Sequence, residues 1–441
     1  MKHTAVLIVV FSFLLASSLS AQETYTKLAT FECFYGQCQP GLPFSGLVET
    51  SPGTFFGSLT FGMLYTVSET SGLQTIYSLP SQYFADAYSP IQASDGYLYI
   101  PSAIGDQGVV FKYQIGGTPT QITVPVNVGV TPLIEAPNLT LYGSSTPANQ
   151  ASPIFRLTLQ GDVDIIGTAP ENLNSVQTLL LASNGLIYGL TGSFVGGGEG
   201  QSSLIRVGYD GAVHTISTFG GQNGFLIEAS DGNFYGCGGN SIYRLTKWGK
   251  FTTIHTFRGG LQGSSVSGCP IEASDGNLYG TTYNGGANGY GTIFRSTLSG
   301  EVTTVYSFTG SDNEQRTAQY YPELIEGSDG KLYGATTGPF ANSPGTFVGG
   351  TIFNLDLGLP KPKPILWRTS PLAGDAGESV LLIGRNFLGA TSVSFNGTPA
   401  TFRVKAGSYI EADVPPGATS GPVTVVTPNG TTTSWFPFHV N

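Results

Sequence analysis

Beyond residue 23 the chain is written in short runs where apolar and polar positions alternate, such as "FTTIHTF" (251–257), "GTIFRST" (291–297) and "EVTTVYSF" (301–308). A period of two puts successive side chains on opposite faces, the signature of a half-buried strand. Gly, Pro, Asn and Asp punctuate the runs, so the expected elements are short strands joined by tight turns. One stretch breaks the pattern: Lys2 and His3 precede an unbroken apolar run, "AVLIVVFSFLLA", that ends in the small residues of "SSLSA". It is too short to cross a bilayer comfortably and has the build of a secretory signal peptide over residues 1–21. The expectation is a protein secreted to the extracellular space or the periplasm, without membrane insertion.

The runs recur with a period. Aligned on the aromatic that follows a turn, Phe56, Tyr99, Tyr142, Tyr188, Tyr235, Tyr279 and Tyr333 lie 43, 43, 46, 47, 44 and 54 residues apart. Each copy holds four strand-like runs: an apolar start such as "PIEAS", then "NLYGTT", "GTIFRST" and "EVTTVYSF". Four short strands repeated about every 45 residues is the period of a propeller blade, so seven copies predict seven blades over residues 22–357. The seventh copy stops after its third strand, "GTIFNLDL", whereas "TYTKLATF" at 24–31 carries a fourth-strand pattern. That N-terminal run is expected to supply the missing outer strand and close the ring, because an open edge invites aggregation.

After a Pro/Lys linker at 358–363, residues 364–441 alternate again at Val380, Leu382 and Gly384 and at Val423 and Val425. Short strands between Gly and Pro turns predict a small immunoglobulin-like β-sandwich. The fold class expected is therefore all-β, a seven-bladed β-propeller closed by an N-terminal strand and followed by an immunoglobulin-like sandwich.

The unit "PIEASDGNLYGTTYNGGANGYGTIFRSTLSGEVTTVYSF" resembles the tandem repeat called GloVer, found in exported bacterial proteins with varied C-terminal domains. Copies five to seven carry the motif well, and copies one to four are degraded. The resemblance implies a repeat fold over roughly residues 46–357 and brings no established activity. Residues 364–441, through "GRNF", "VSFNG" and "VPPGATSGPVTVVT", resemble the IPT/TIG domain. Such modules serve as spacers or binding domains, so catalysis is not implied.

Composition agrees with strands and turns: 62 Gly, 27 Pro and only 10% charged residues. Without residues 1–21 the chain keeps 17 basic against 28 acidic residues, a net charge of −11. An acidic chain with no basic stripe is a poor partner for nucleic acid or anionic lipid. Four Cys in an exported chain, with no metal-ligand spacing around them, predict disulfides, Cys33 with Cys38 and Cys237 with Cys269.

The phrase "ASDGNFYG" (229–236) returns as "ASDGNLYG" (273–280) and "GSDGKLYG" (327–334). Its Asp-Gly reads as a hairpin turn, because degraded copies keep turn residues, Pro52-Gly53 and Asn184-Gly185, without a carboxylate. No cofactor is implied, and a calcium ion or other cation lacks support. A second column lies seven positions before each aromatic: Glu49, Gln92, Glu135, Leu181, Glu228, Glu272 and Glu326. Its five carboxylates are expected either to pair with third-strand cations (Lys112, Arg156, Arg206, Arg244, Arg295) or to line a channel as a ligand site. Strand direction gathers the long loops on the opposite face, with Phe194, Tyr283, Tyr290, Asp312, Asn313, Gln315, Arg316, Tyr320 and Phe340. Aromatics beside amides and carboxylates suit glycan binding, and a protein partner is the other extracellular option. His214, His255 and His439 have no triad or metal companions in sequence. A non-enzymatic binding or surface-interaction protein is expected, with a polysaccharide lyase or glycoside hydrolase as the alternative.

Overall fold

The computed structural model describes residues 23–441 apart from 35–36, 40–42, 44, 60–61, 80–88, 128, 146–150, 170–174, 193–200, 221–224, 311–323 and 337–348, and without the side chains of 32–34, 37–39 and 127. The expected signal peptide therefore lies outside the described residues. Every long element is a strand, and a three-residue 3-10 turn at Gly260–Gln262 interrupts the series.

Between Thr24 and Asp356 the strands form seven four-stranded antiparallel sheets. The unit best preserved in sequence folds as expected, in strands Ser264–Glu272, Leu278–Asn284, Thr292–Ser296 and Val302–Ser307. Six sheets use four successive strands each. The seventh takes Ile325–Glu326, Leu332–Thr336 and Thr351–Asp356 and adds Thr24–Thr30 on its outer side, with Thr24 opposite Asp356 and Thr30 opposite Thr351.

A four-stranded sheet cannot bury both faces alone, so each packs on the next. The repeat aromatics do this work: Phe56 shares a core with Val109, Tyr99 with Phe155 and Tyr142 with Ile187, and the Tyr188 ring packs on Phe234 at 4.8 Å. Tyr235 meets Leu278, and Tyr279 meets Phe353. Tyr333 of the seventh sheet packs on Phe55 of the first, with ring centroids 3.9 Å apart. Fully burying one such ring is worth roughly 2–3 kcal/mol.

Residues Ile365–Val440 form two further four-stranded sheets around one core that includes Val380, Leu382, Val423 and Val425. This is the expected sandwich, with the alternating positions inward. The linker and sandwich rest on the Asp-Gly turns of the first unit. Asn429 Nδ2 donates to the Ser328 carbonyl (2.6 Å), an Arg368 Nη donates to the Pro137 carbonyl (2.7 Å), and the Pro360 carbonyl lies against Ser274 Oγ. Leu139 packs against Ile383, Ala406 and Tyr409. The topology dictates this placement: the chain leaves the seventh sheet at the end of its third strand, the end at which its Asp-Gly turn lies.

The outer strand of the seventh sheet carries Tyr25, stacked on Tyr306 at 4.5 Å, and leads into Phe31, which is 1% exposed. Removing residues 22–31 is expected to lower the melting temperature by about 10 °C or more in scanning calorimetry. An unchanged melt would contradict the pairing.

Candidate functional site

The repeated phrase is a closed hydrogen-bond unit. In Asp95, Asp231, Asp275 and Asp329 one carboxylate oxygen accepts from the backbone N–H two residues on (3.0–3.1 Å). The other accepts from the hydroxyl of the repeat Tyr four residues on (2.8–2.9 Å). The Gly after each Asp has positive φ, 74° at Gly232 and 86° at Gly330. Burial pushes the Tyr235 hydroxyl up to about 12, and the Asp231 carboxylate that it donates to adds to the rise. Burial works against the charge of Asp231, yet hydrogen bonds from Asn233 and Tyr235 outweigh it and hold that carboxyl below its ordinary value. The variant copies obey the same chemistry. Asn138 and Asn184 donate through Nδ2 to Tyr142 and Tyr188, while the first copy loses both partners together, as Pro52 and Phe56.

The glutamate column has a different partner from the cations expected in sequence. Each Glu reaches across to the Ser of the neighbouring sheet's turn and accepts both its N–H and its hydroxyl. Glu135 takes Ser94 (N–H at 2.8 Å), Glu228 takes Ser183 (2.5 Å), Glu272 takes Ser230 (2.8 Å) and Glu326 takes Ser274 (2.9 Å). Glu49 of the first sheet takes Ser328 of the seventh (2.8 Å), 279 residues away. The two positions without Glu are informative. Leu181 belongs with Pro137, which has neither N–H nor hydroxyl to offer, and Gln92 donates instead to the Gly96 carbonyl (3.3 Å).

The third-strand cations go to the turn Asp or elsewhere. Lys112 pairs with Asp95 (2.8 Å), Arg244 donates to Tyr235 beside Asp231, Arg295 does the same at Tyr279 and Asp275, and Arg156 pairs with Asp164 (2.9 Å). The physical reason is register: Tyr235 lies opposite Arg244, whereas Glu228 lies opposite Phe234 and so faces the other side of the sheet. Glu228 finds a cation on a turn instead, Lys247 at 2.7 Å.

Directly before each column member stands an aliphatic residue: Val48, Ile91, Ile134, Leu180, Ile227, Ile271 and Ile325, each only half-buried. The first strands of several neighbouring sheets contact one another, so these residues form a collar of adjoining aliphatic positions. Sequence reading missed both the Ser partners and the collar. The joint loss of Ser and Glu at Pro137 and Leu181 was the signal available.

Of the loop residues expected to bind, Tyr283 and Tyr290 are described and half-buried, the Tyr290 ring resting on Gly310. Asp312, Asn313, Gln315, Arg316, Tyr320, Phe194 and Phe340 lie outside the described residues. Cys237 and Cys269 form the expected disulfide, joining the fifth sheet to the sixth across 32 residues. A loop of that length implies about 3–4 kcal/mol on the chain-entropy account. Cys33 stands opposite Cys38 in a two-stranded ladder, and their side chains lie outside the described residues. His255 sits edge-on to Phe257 and burial lowers its pKa, which fits a blade-face role. Among the described residues no group of three or more His, Cys, Asp or Glu converges as a metal site, and no helix is long and apolar enough to cross a membrane.

Residues 226–363 match the Gloeobacter/Verrucomicrobia repeat, and residues 364–440 match the IPT/TIG domain. The repeat match begins at the fifth copy, where Glu, Ser, Asp and Tyr are all intact. No curated protein matches the chain. Similar solved structures include a streptogramin B lyase (13% identity, 76% of this chain and 97% of that one, TM-score 0.54). Another is the selenomethionine-substituted virginiamycin B lyase from Staphylococcus aureus (14%, 76% and 99%, TM-score 0.53). A weaker likeness is the WD40 β-propeller domain of Doa1 (13%, 75% and 96%, TM-score 0.47). At these identities the likeness concerns the fold alone.

Burial is the main force on three of the column carboxyls and raises the pKa of Glu49, Glu135 and Glu326 above 4.5, with the Ser hydrogen bonds offsetting part of the rise. Each therefore holds its proton more tightly folded than unfolded, so its stabilising contribution is full below 4.5 and falls as pH climbs through the raised value. His255 acts in the opposite sense in an overlapping range, so the informative readout is a difference between two proteins. Glu135, 5% exposed, is the strongest case. From about pH 5 to about pH 8 the wild type should lose melting temperature relative to Glu135→Gln; a pH-independent difference would contradict this assignment.

Proposed function

We propose that this chain is an exported, non-catalytic binding protein: a ring of seven blades closed by its N-terminal strand, which engages an extracellular glycan through the face opposite its sandwich domain. The ring is supported by the Tyr333–Phe55 packing, the Glu49–Ser328 hydrogen bonds and the seventh sheet's N-terminal strand. Export is supported by the apolar N-terminal run and the Cys237–Cys269 disulfide.

One observation carries the functional reading: the chain's own linker and sandwich occupy the Asp-Gly turn face. That leaves the end bearing the long loops for a partner, and loops held on a rigid scaffold are where binding residues concentrate. Tyr283 and Tyr290 stand at that end, and an aromatic ring offers a flat apolar face to a sugar with a hydroxyl at its edge. A non-catalytic role is favoured because the repeated carboxylates already have hydrogen-bond donors: Glu accepts from Ser, and Asp from Tyr and backbone. A general acid or nucleophile needs a carboxyl free to meet substrate.

The test is a glycan array with the labelled mature chain, run beside a reducing-end assay on the polysaccharides that bind. Saturable binding without new reducing ends, weakened about tenfold by Tyr283→Ala, is the expected result. Product formation would turn the assignment to a carbohydrate-active enzyme, and absence of binding across the array would remove the glycan.

A further inference from the structure

A cavity of about 790 Å³ lies where the first, second, sixth and seventh sheets meet the linker and the sandwich. Its wall comes from the first strands of four sheets, through Leu47, Pro90, Ile271 and Ile325. At the turn end the linker and sandwich stand across it, contributing Lys361, Lys363 and Arg385. The volume falls in the range of about 300–1,000 Å³ that suits a small organic ligand.

The chemistry of the lining is uneven along its length. Ile271 and Ile325 are aliphatic and half-buried: each packs against a core cluster between neighbouring sheets and also lines the cavity. Half-exposed aliphatic side chains gain about 25 cal/mol per Å² when an apolar body covers them. The turn end is polar, and its charges are not balanced. Glu272 and Glu326 lie there, but each already accepts the N–H and the hydroxyl of a Ser from the neighbouring sheet. Lys361, Lys363 and Arg385 are exposed, so at least their side chains have room to turn to a guest. Three cations thus stand against the two carboxylates, and Arg385 is near enough to Glu326 to act on its carboxyl.

We propose that this cavity binds a small anionic amphiphile, an organic acid whose apolar body lies along the aliphatic collar and whose acid group meets Arg385 and the linker lysines. The sandwich is then part of a binding site: it closes one end of the channel and brings the cation that reads the ligand's charge. A sugar fits this lining poorly, because its hydroxyls would lose water against Ile and Leu without gaining partners. The proposal is independent of glycan binding at the loop face.

Sodium octanoate is the probe, titrated calorimetrically into the mature chain, with octyltrimethylammonium as a control of matched length and opposite charge. Saturable one-to-one octanoate binding is expected, weakened about tenfold by Arg385→Gln with Lys361→Gln and abolished by Ile325→Phe, which fills the channel. The polar double variant changes only exposed side chains, so it decides the matter even where Ile325→Phe fails to fold. Failure of octanoate to bind, equal binding by the double variant, or equally tight binding of the ammonium probe would each overturn the proposal.

Discussion

The first unit depends on one repeated contact, a buried or half-buried carboxylate that holds the turn of the sheet beside it. A four-stranded sheet is too small to be stable alone, and side-by-side apolar packing does not fix how neighbouring turns align. The Glu–Ser clasp supplies that alignment. It acts at one end of five of the interfaces while aromatic residues fill the middle, and each clasp satisfies a backbone N–H and a hydroxyl at once. Hydrogen bonds to a charged acceptor are worth about 1.5–3 kcal/mol net, enough to offset part of the cost of removing the carboxylate from water. The raised pKa of Glu49, Glu135 and Glu326 shows that the offset is incomplete.

The same turn face also organises the rest of the molecule. Turns that sit level make a platform, and the sandwich uses it: Tyr409 donates to Glu135, Arg368 reaches the Pro137 carbonyl, and Asn429 the Ser328 carbonyl. Pro137 serves here as a sandwich contact where it cannot serve as a clasp. The linker adds Pro360 against Ser274, so sheets of both halves share the load. A domain that covers one face makes the two ends of the first unit unequal, and the difference in exposed chemistry follows from that.

Much of this could be read from the chain. The four-strand pattern and the turn type follow from comparing copies, because these features live within one repeat, and the exported character of the chain pointed to the Cys237–Cys269 bond between neighbouring repeats. The Asp–Tyr bond was missed, although the joint loss at Pro52 and Phe56 is its trace. The Glu partner was missed as well. An expectation confined to one sheet assigned it to the third-strand cations, whereas the actual donor sits one repeat earlier, 41 residues away for Glu135 and 52 for Glu326. Contacts between repeats leave a trace in sequence only where both members change, as at Pro137 and Leu181. The loop residues differ from copy to copy, so comparison has nothing to say about what they bind.

Glu49 and Ser328 should be energetically coupled across the junction between the first and seventh sheets. Glu49 also accepts from the Gly53 N–H (2.7 Å), so a single substitution mixes two effects and a double-mutant cycle is needed. Urea melts of Glu49→Ala, Ser328→Ala and the pair should give a coupling energy of about 1–2 kcal/mol. Strictly additive effects would mean that the clasp does not hold the two ends together.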